Sequence, residues 1–203
     1  MVRRPFINVN TTDYFDDRSD ASKSIIVIHE TVSHDYAGLS DITSIASYLG
    51  SKGYGIHLIV DQEGKSGYSF DESAIYAHAR GNNTGTIGIE LVSFIPALKI
   101  TPWARFRIWL SRERQTHKAA RWCAYYSDRH GFPLQYSDGI EPGITSHYDI
   151  STAHSVPGGH WDGKPKHKGG HFPMKRLVKL AKLYKAGKLA YAPMRSYSLG
   201  KST

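Results

Sequence analysis

Hydrophobic residues occur along the chain in short unbroken runs, and polar segments that contain glycine separate these runs. Residues 25–29 predict a buried β-strand, because branched apolar side chains follow one another without a polar interruption. Residues 87–93 have the same character and predict a strand in the centre of a sheet. Residues 56–60 and 65–70 flank a polar turn at residues 61–64, and this pattern predicts a hairpin.

Three further segments place apolar residues at helical spacing. The first helix is predicted to begin after a cap at residues 40–41 and to end near Gly53. The longest is predicted to run from residue 101 to residue 130, where Gly131 ends it, and a last helix follows Pro173. Because strands and helices are interspersed, we predict an α/β fold with a central mixed sheet flanked by helices.

The length of 203 residues suits one domain, which we place at residues 1–190. Residues 1–23 are polar and are predicted to form an irregular lead-in, and residues 191–203 a polar tail or the start of a linker. Hydrophobic residues make up 40% of the chain, which is enough to build a core, so a folded domain is expected.

Composition narrows the choice of partner and compartment. The formal net charge of +8 indicates an anionic partner or surface. The single cysteine, Cys123, excludes an internal disulfide framework and a cysteine-cluster zinc module. No apolar segment of signal-peptide or membrane-spanning length is present. We therefore expect synthesis in the cytosol without an export signal of the usual kind, and no stable membrane insertion.

Histidines at predicted strand ends carry the candidate chemistry. His29 ends one apolar run, and His147 has a similar position at the end of a last predicted strand, which a loop enters within residues 140–147. A catalytic zinc ion commonly takes three protein ligands, often histidine, and keeps one position open. Glu90 places a carboxylate inside an otherwise apolar strand, where burial of a charge is costly. A metal site with an adjacent general base would account for both features.

Five segments, in a fixed order along the chain, resemble the zinc-dependent N-acetylmuramoyl-L-alanine amidases. They are Ile-Val-Ile-His29-Glu-Thr, Gly-Ile-His57-Leu-Ile-Val-Asp-Gln-Glu-Gly, Tyr-Ala-His78-Ala-Arg-Gly-Asn-Asn, Ile-Gly-Ile-Glu90-Leu and His147-Tyr-Asp-Ile. That family includes phage endolysins and shares its fold with the peptidoglycan recognition proteins. The resemblance covers residues 25–174 and implies the same fold for this chain.

The resemblance implies a Zn²⁺ ion held by two histidines and by a third group, Asp or Cys, that Pro-Gly usually follows. The two histidines correspond to His29 and His147. Counting back from the Phe-Pro pair at residues 172–173, and matching Gly169 to the family glycine, places His167 at the third position. The alternatives for the third ligand are His154, His160, Asp162 and His171.

The resemblance also implies roles for residues around the metal. Glu90 corresponds to the catalytic glutamate, which would act as general base and then as general acid. The family has a lysine two residues before the third ligand that stabilises the developing oxyanion. A proline occupies that position relative to His167, so we expect Lys164 to act instead, with Lys166 as the alternative. His78 corresponds to a cleft histidine and is expected to contact the substrate.

Together these residues predict a hydrolase that cleaves the amide bond between N-acetylmuramic acid and the L-alanine of the stem peptide in bacterial peptidoglycan. The positive charge and the missing export signal fit a monomeric phage endolysin that reaches the wall after the host membrane is breached. The alternative is a non-catalytic peptidoglycan-binding module of the same fold. A nucleic-acid binder is a third hypothesis, but no recognised binding motif accompanies the lysines, and we expect no nucleic-acid partner.

Overall fold

The computed structural model describes residues 15–19, 22–31, 42–68, 72–95 and 98–189. Strands and α-helices alternate along these residues, together with a short 3-10 helix at Lys166–Lys168. The strands are β1 (Phe15–Ser19), β2 (Ile25–Glu30), β3 (Leu58–Val60), β4 (Ser66–Tyr68), β5 (Ala74–Tyr76), β6 (Thr86–Leu91) and β7 (Gly143–Ser146). The helices are α1 (Ile42–Ser51), α2 (Pro102–Ser111), α3 (Glu113–His130), α4 (His147–Ala153) and α5 (Met174–Lys185).

The main sheet has five strands in the order β4-β3-β6-β2-β7. Strands β3, β6, β2 and β7 run parallel, and β4 joins the edge antiparallel through the predicted hairpin. Strands β1 and β5 form a separate antiparallel pair. The predicted mixed sheet is therefore confirmed. The carboxyl ends of its parallel strands lie together along one side of the sheet, its carboxyl edge, where ligands of such sheets usually bind.

Apolar side chains cover both faces of this sheet. On one face, alternate residues of β2 and β6 join a large core cluster with α2, α3 and α5. On the other face, a cluster of α1, β3 and Val92 and a smaller one around Val27, Ala79 and Ile150 of α4 form the packing. Helices thus flank the sheet on both sides, as predicted for this α/β fold.

The longest predicted helix is interrupted in the structure. Its start is confirmed, because the Thr101 hydroxyl accepts the amide of Ala104 at 3.2 Å and proline follows as the first residue. Its end is confirmed by Gly131, which adopts a φ of 76°. Between them, Arg112 leaves helical geometry at ψ 56°, and its guanidinium donates to the carbonyl of Val92 at 3.2 Å. The helix break thus coincides with a contact to a residue outside the helix, which the local sequence pattern does not reveal.

Other predictions changed or fall outside the described residues. The predicted irregular lead-in contains β1, and β5 was not predicted. Helix α1 occurs where expected, but the predicted cap at residues 40–41 lies outside the described residues, as do residues 69–70 and the tail at residues 191–203. Among the helices that the structure describes, none has the length and apolar character to cross a membrane.

Candidate active site

Three residues of the predicted site lie on one face of the sheet, at its carboxyl edge. His29 in β2 stands in register with Glu90 in β6. His147 directly follows β7 and is the first residue of α4, where the Ser146 hydroxyl accepts the amide of Asp149 and caps the helix. Side chains alternate along strands, so these three project from the face opposite the large core cluster.

A buried cluster forms where His29, His147 and Asp162 converge. The two Nδ1 atoms are 3.1 Å apart. Asp162 lies 3.1 Å from Nδ1 of His147 and 3.6 Å from Nδ1 of His29. All three residues are buried, and one ligand atom from each lies within 4.8 Å of the others. This is the arrangement of three donors around a common centre.

The donor set fits a zinc ion in both spacing and charge. Donors at about 2.0–2.1 Å from a tetrahedral zinc ion lie about 3.3 Å from one another, close to the distances observed here. Burial, and then the neighbouring His147, lower the pKa of His29 to about 4. Burial would raise the pKa of Asp162, but its contacts with His147 and His29 outweigh burial and hold that pKa below its usual range. At neutral pH the cluster thus offers a neutral imidazole and a carboxylate, the forms that bind metals.

The third member of this cluster differs from the predicted one. His167 is exposed on the 3-10 helix, and its ring packs edge-on against Tyr136 at 4.8 Å. Pro165 pairs with Phe172, so the intervening residues form a closed loop whose tip carries His167. This loop leads away from the sheet edge, so counting back from residue 172 does not locate the third member of the cluster. Asp162, one of the alternatives, takes the third position in the structure.

The remaining alternatives have other contacts. Nε2 of His154 lies 3.2 Å from the carbonyl of Gly139, and Nε2 of His171 lies 2.9 Å from Glu30. In the sequence, only residue type distinguishes Asp162: it is the one acidic alternative, and Asp is a usual third ligand in the family that the chain resembles.

Glu90 is buried beside the cluster, with 6% of its surface exposed. Burial raises its pKa well above the usual value, and the negative charges of Asp162 and Glu30 raise it further. A carboxyl group in such surroundings accepts a proton readily, which suits a general base.

His78 contacts His29, whereas the sequence predicts that His78 contacts the substrate. Its Nδ1 is 3.1 Å from Nε2 of His29, and its Nε2 is 3.0 Å from the hydroxyl of Thr86. A free lone pair on Nδ1 of His29 requires the proton on Nε2, which then donates to His78. The geometry therefore gives His78 a contact that orients a ring of the cluster.

Lys164 does not join the cluster. Its ammonium group lies over the ring of Tyr148 at 4.5 Å, and the alternative, Lys166, has its own over Trp103 at 5.6 Å. With Asp162 as third ligand, the position two residues earlier is His160. The His160 ring stacks on His147 at 3.7 Å, and its Nδ1 is 4.0 Å from the Asp162 carboxylate. The sequence prediction did not point to His160 because it counted from His167 as the third ligand.

A mixed sheet with helices on both faces and a His-His-Asp cluster beside a buried glutamate define an α/β protein with a candidate metal centre at its sheet edge. The family model of N-acetylmuramoyl-L-alanine amidase matches residues 19–161, more than half of the chain, and the chain belongs to this family. Membership confirms the predicted family and supports peptidoglycan amidase activity.

Solved structures share the fold. The Staphylococcus aureus hydrolase AmiA, in complex with its ligand, is 20% identical with a TM-score of 0.62, over 93% of this chain and 89% of that one. The endolysin amidase LysCS of Clostridium intestinale is 17% identical with a TM-score of 0.52, over 84% of this chain and 90% of that one. At these identities the likeness shows the fold alone. None of the curated protein sequences matches the chain.

Proposed function

We propose that this protein is a zinc-dependent N-acetylmuramoyl-L-alanine amidase that cleaves the bond between N-acetylmuramic acid and the L-alanine of the stem peptide. The observation that carries the proposal is the convergence of His29, His147 and Asp162 beside the buried Glu90. A zinc ion held by those three residues would supply Lewis-acid chemistry for amide hydrolysis. Family membership supports the choice of the muramoyl-alanine bond.

The chain's own residues account for the proton transfers. Glu90 takes the proton of the attacking water and delivers it to the nitrogen of the leaving L-alanine. Its burial raises its pKa, which makes it a stronger base than an exposed glutamate. His78 holds the ring of His29 through the contact between Nδ1 and Nε2.

We place this activity in an endolysin that acts on the bacterial wall once the membrane is permeabilised. The net charge of +8 supports it, because positive charge concentrates a protein on anionic wall polymers. The non-catalytic binding module loses its main support, since that hypothesis depended on an incomplete donor set, and the described residues contain a three-member cluster.

The direct test is digestion of purified peptidoglycan. We expect new N-terminal L-alanine and released muramic-acid ends, one zinc ion per chain, and loss of activity by at least about a thousandfold on complete chelation. Zinc added back should restore the activity. Full activity in protein shown to be zinc-free would reject the mechanism, and tight peptidoglycan binding without cleavage would favour the binding module.

His160 provides a second prediction. We propose that His160 replaces Lys164 as the group that donates a hydrogen bond to the developing oxyanion, because it stacks on His147 at the cluster's edge. His160→Ala should lower kcat by about a hundredfold, the usual cost of one such donor. His160→Lys should retain more activity than the alanine variant, since lysine occupies this position in the family.

Lys164→Ala is the matched control, and we expect its kcat to stay within about twofold of wild type. Zinc content should be measured in all three variants, so that a lost metal is not mistaken for a lost donor. A large loss in Lys164→Ala, with His160→Ala near wild type, would return the role to the lysine.

A further inference from the structure

Glu30 is a carboxylate that the chemistry above does not use, although it is completely enclosed. Its side chain has 0% exposure. Nε1 of Trp109 donates to Oε1 at 2.6 Å, the amide of Gly163 donates to Oε2 at 2.7 Å, and Nε2 of His171 lies 2.9 Å from Oε2. These partners come from α2 and from the two ends of the segment at residues 163–171. Burying a carboxylate is costly unless such donors compensate it, so this position is unusual for a residue without a task.

Glu30 and the ligand His29 are neighbours in β2, but they project from opposite faces of the sheet. Glu30 shares its face with Ile26 and Ile28 of the large core cluster. The adjacent residues Asp162 and Gly163 contact these two side chains, one on each face of the sheet. The Asp162 carboxylate contacts His29 on one face, and the Gly163 amide contacts Glu30 on the other.

The loop that carries Asp162 therefore contacts the end of β2 on both faces of the sheet. Gly163 makes this close approach with a φ of 69°. A Cβ atom on it would lie 2.9 Å from the carbonyl oxygen of Ile28 and 3.1 Å from Cβ of Ser146. Those two residues each precede a histidine of the cluster. The backbone at Gly163 is thus lodged between the two ligand-bearing strand ends.

The contact with His171 fixes the far side of the same loop. The amide of His171 donates to the carbonyl of Lys164 at 3.0 Å, which closes residues 164–171 into a turn. Trp109 packs edge-on against Phe172 at 5.0 Å and anchors the carboxylate to α2. Glu30 therefore joins both ends of this turn to the strand that bears His29.

We propose that Glu30 is the positioning residue of the metal centre, which holds Asp162 in reach of His29 and His147 through the amide of Gly163. This inference rests on the proposed function, because it assumes that the cluster binds zinc. Glu30 does not contact the ion. It fixes the one ligand that comes from an irregular loop and not from the end of a strand.

The test is the near-isosteric variant Glu30→Gln in the full chain, with zinc affinity as the readout. Glutamine replaces one accepting oxygen by a donating NH₂ group, so it cannot accept from Trp109, Gly163 and His171 together. We expect zinc to bind about 10–100-fold more weakly in a competition titration with a chromophoric chelator. Activity should recover towards the wild-type value as zinc is raised, which a merely structural defect would not show.

Glu72→Gln is the matched control. Its carboxylate is also largely buried, accepts from the Tyr125 hydroxyl and forms an ion pair with Arg129, but at the carboxyl end of α3. The candidate site lies near the other end of α3. There the Gln115 side chain donates to the carbonyls of Val60 and Val92 at the carboxyl edge of the sheet. The control should lower the unfolding temperature and leave the zinc Kd within about twofold of wild type.

Folded Glu30→Gln with a zinc Kd within about twofold of wild type would overturn the inference. If this variant does not fold, Gly163→Ala displaces the same backbone directly, and it should weaken zinc binding by a similar factor; an unchanged Kd there would also overturn the inference. Wild-type protein that binds no zinc would instead reject the proposed function itself, so the two failures are distinguishable.

Discussion

Replacing Asp162 by alanine is expected to remove stoichiometric zinc binding and to lower kcat/KM by about a thousandfold or more. The carboxylate is one of three converging donors, and it is the only one in the cluster that carries a negative charge. Loss of one ligand leaves two imidazoles, fewer than the three protein ligands that a catalytic zinc site commonly has. A metal ion commonly supplies several kcal/mol of transition-state stabilisation, and each 1.36 kcal/mol is tenfold in rate.

The matched control is His167→Ala, which removes the ligand that sequence analysis had placed in this position. We expect its zinc content and kcat/KM to stay within about twofold of wild type, because this histidine is exposed and packs on Tyr136. Metal analysis of both purified variants provides the check. Zinc retained in Asp162→Ala together with zinc lost in His167→Ala would show that the loop is arranged differently and that the three-histidine site exists.

The contrast between these two residues shows which parts of the site a sequence can predict. His29 and Glu90 each follow or interrupt an apolar run, and such runs mark buried strands. Parallel strands bring their carboxyl ends to one edge, so residues at those ends meet whatever lies between them in sequence. The same logic located His147 after β7. These predictions used local patterns, and the fold turned them into proximity.

Asp162 has no such local signal, because its position depends on distant contacts. The loop reaches the edge through the bond from the Gly163 amide to Glu30, a residue 133 positions earlier. The pairing of Pro165 with Phe172 closes a turn that no periodicity reveals. The helix break at Arg112 likewise coincides with a contact outside the helix, to the carbonyl of Val92. Contacts with distant residues fix the path of an irregular segment. Counting residues along such a segment therefore does not predict where its side chains lie.

Replacing Glu90 by glutamine is expected to lower kcat by about 10²–10⁴-fold while zinc binding remains at one ion per chain. Glutamine has nearly the same shape but cannot take a proton from water and pass it to the leaving nitrogen. The residue stands beside the cluster without belonging to it, so the metal should stay. Kinetics on a soluble muramoyl-peptide fragment, with metal analysis of the same sample, would measure both effects. Loss of zinc in this variant would mean that Glu90 is a ligand and not the base.

The same substitution should stabilise the zinc-free protein at neutral pH. The folded pKa of Glu90 lies well above its ordinary value of 4.5, chiefly because the carboxyl group is buried. Below that ordinary value the carboxyl is protonated in both states and imposes no penalty. As pH rises above it, the unfolded chain releases the proton first, so wild-type stability falls. We expect Glu90→Gln to melt about 2–4 °C higher per kcal/mol gained at pH 7.5, and the gain to vanish near pH 4. Bound zinc should reduce the gain, because its charge favours the ionised carboxylate. A gain of equal size at both pH values would show that packing, and not the buried charge, is responsible.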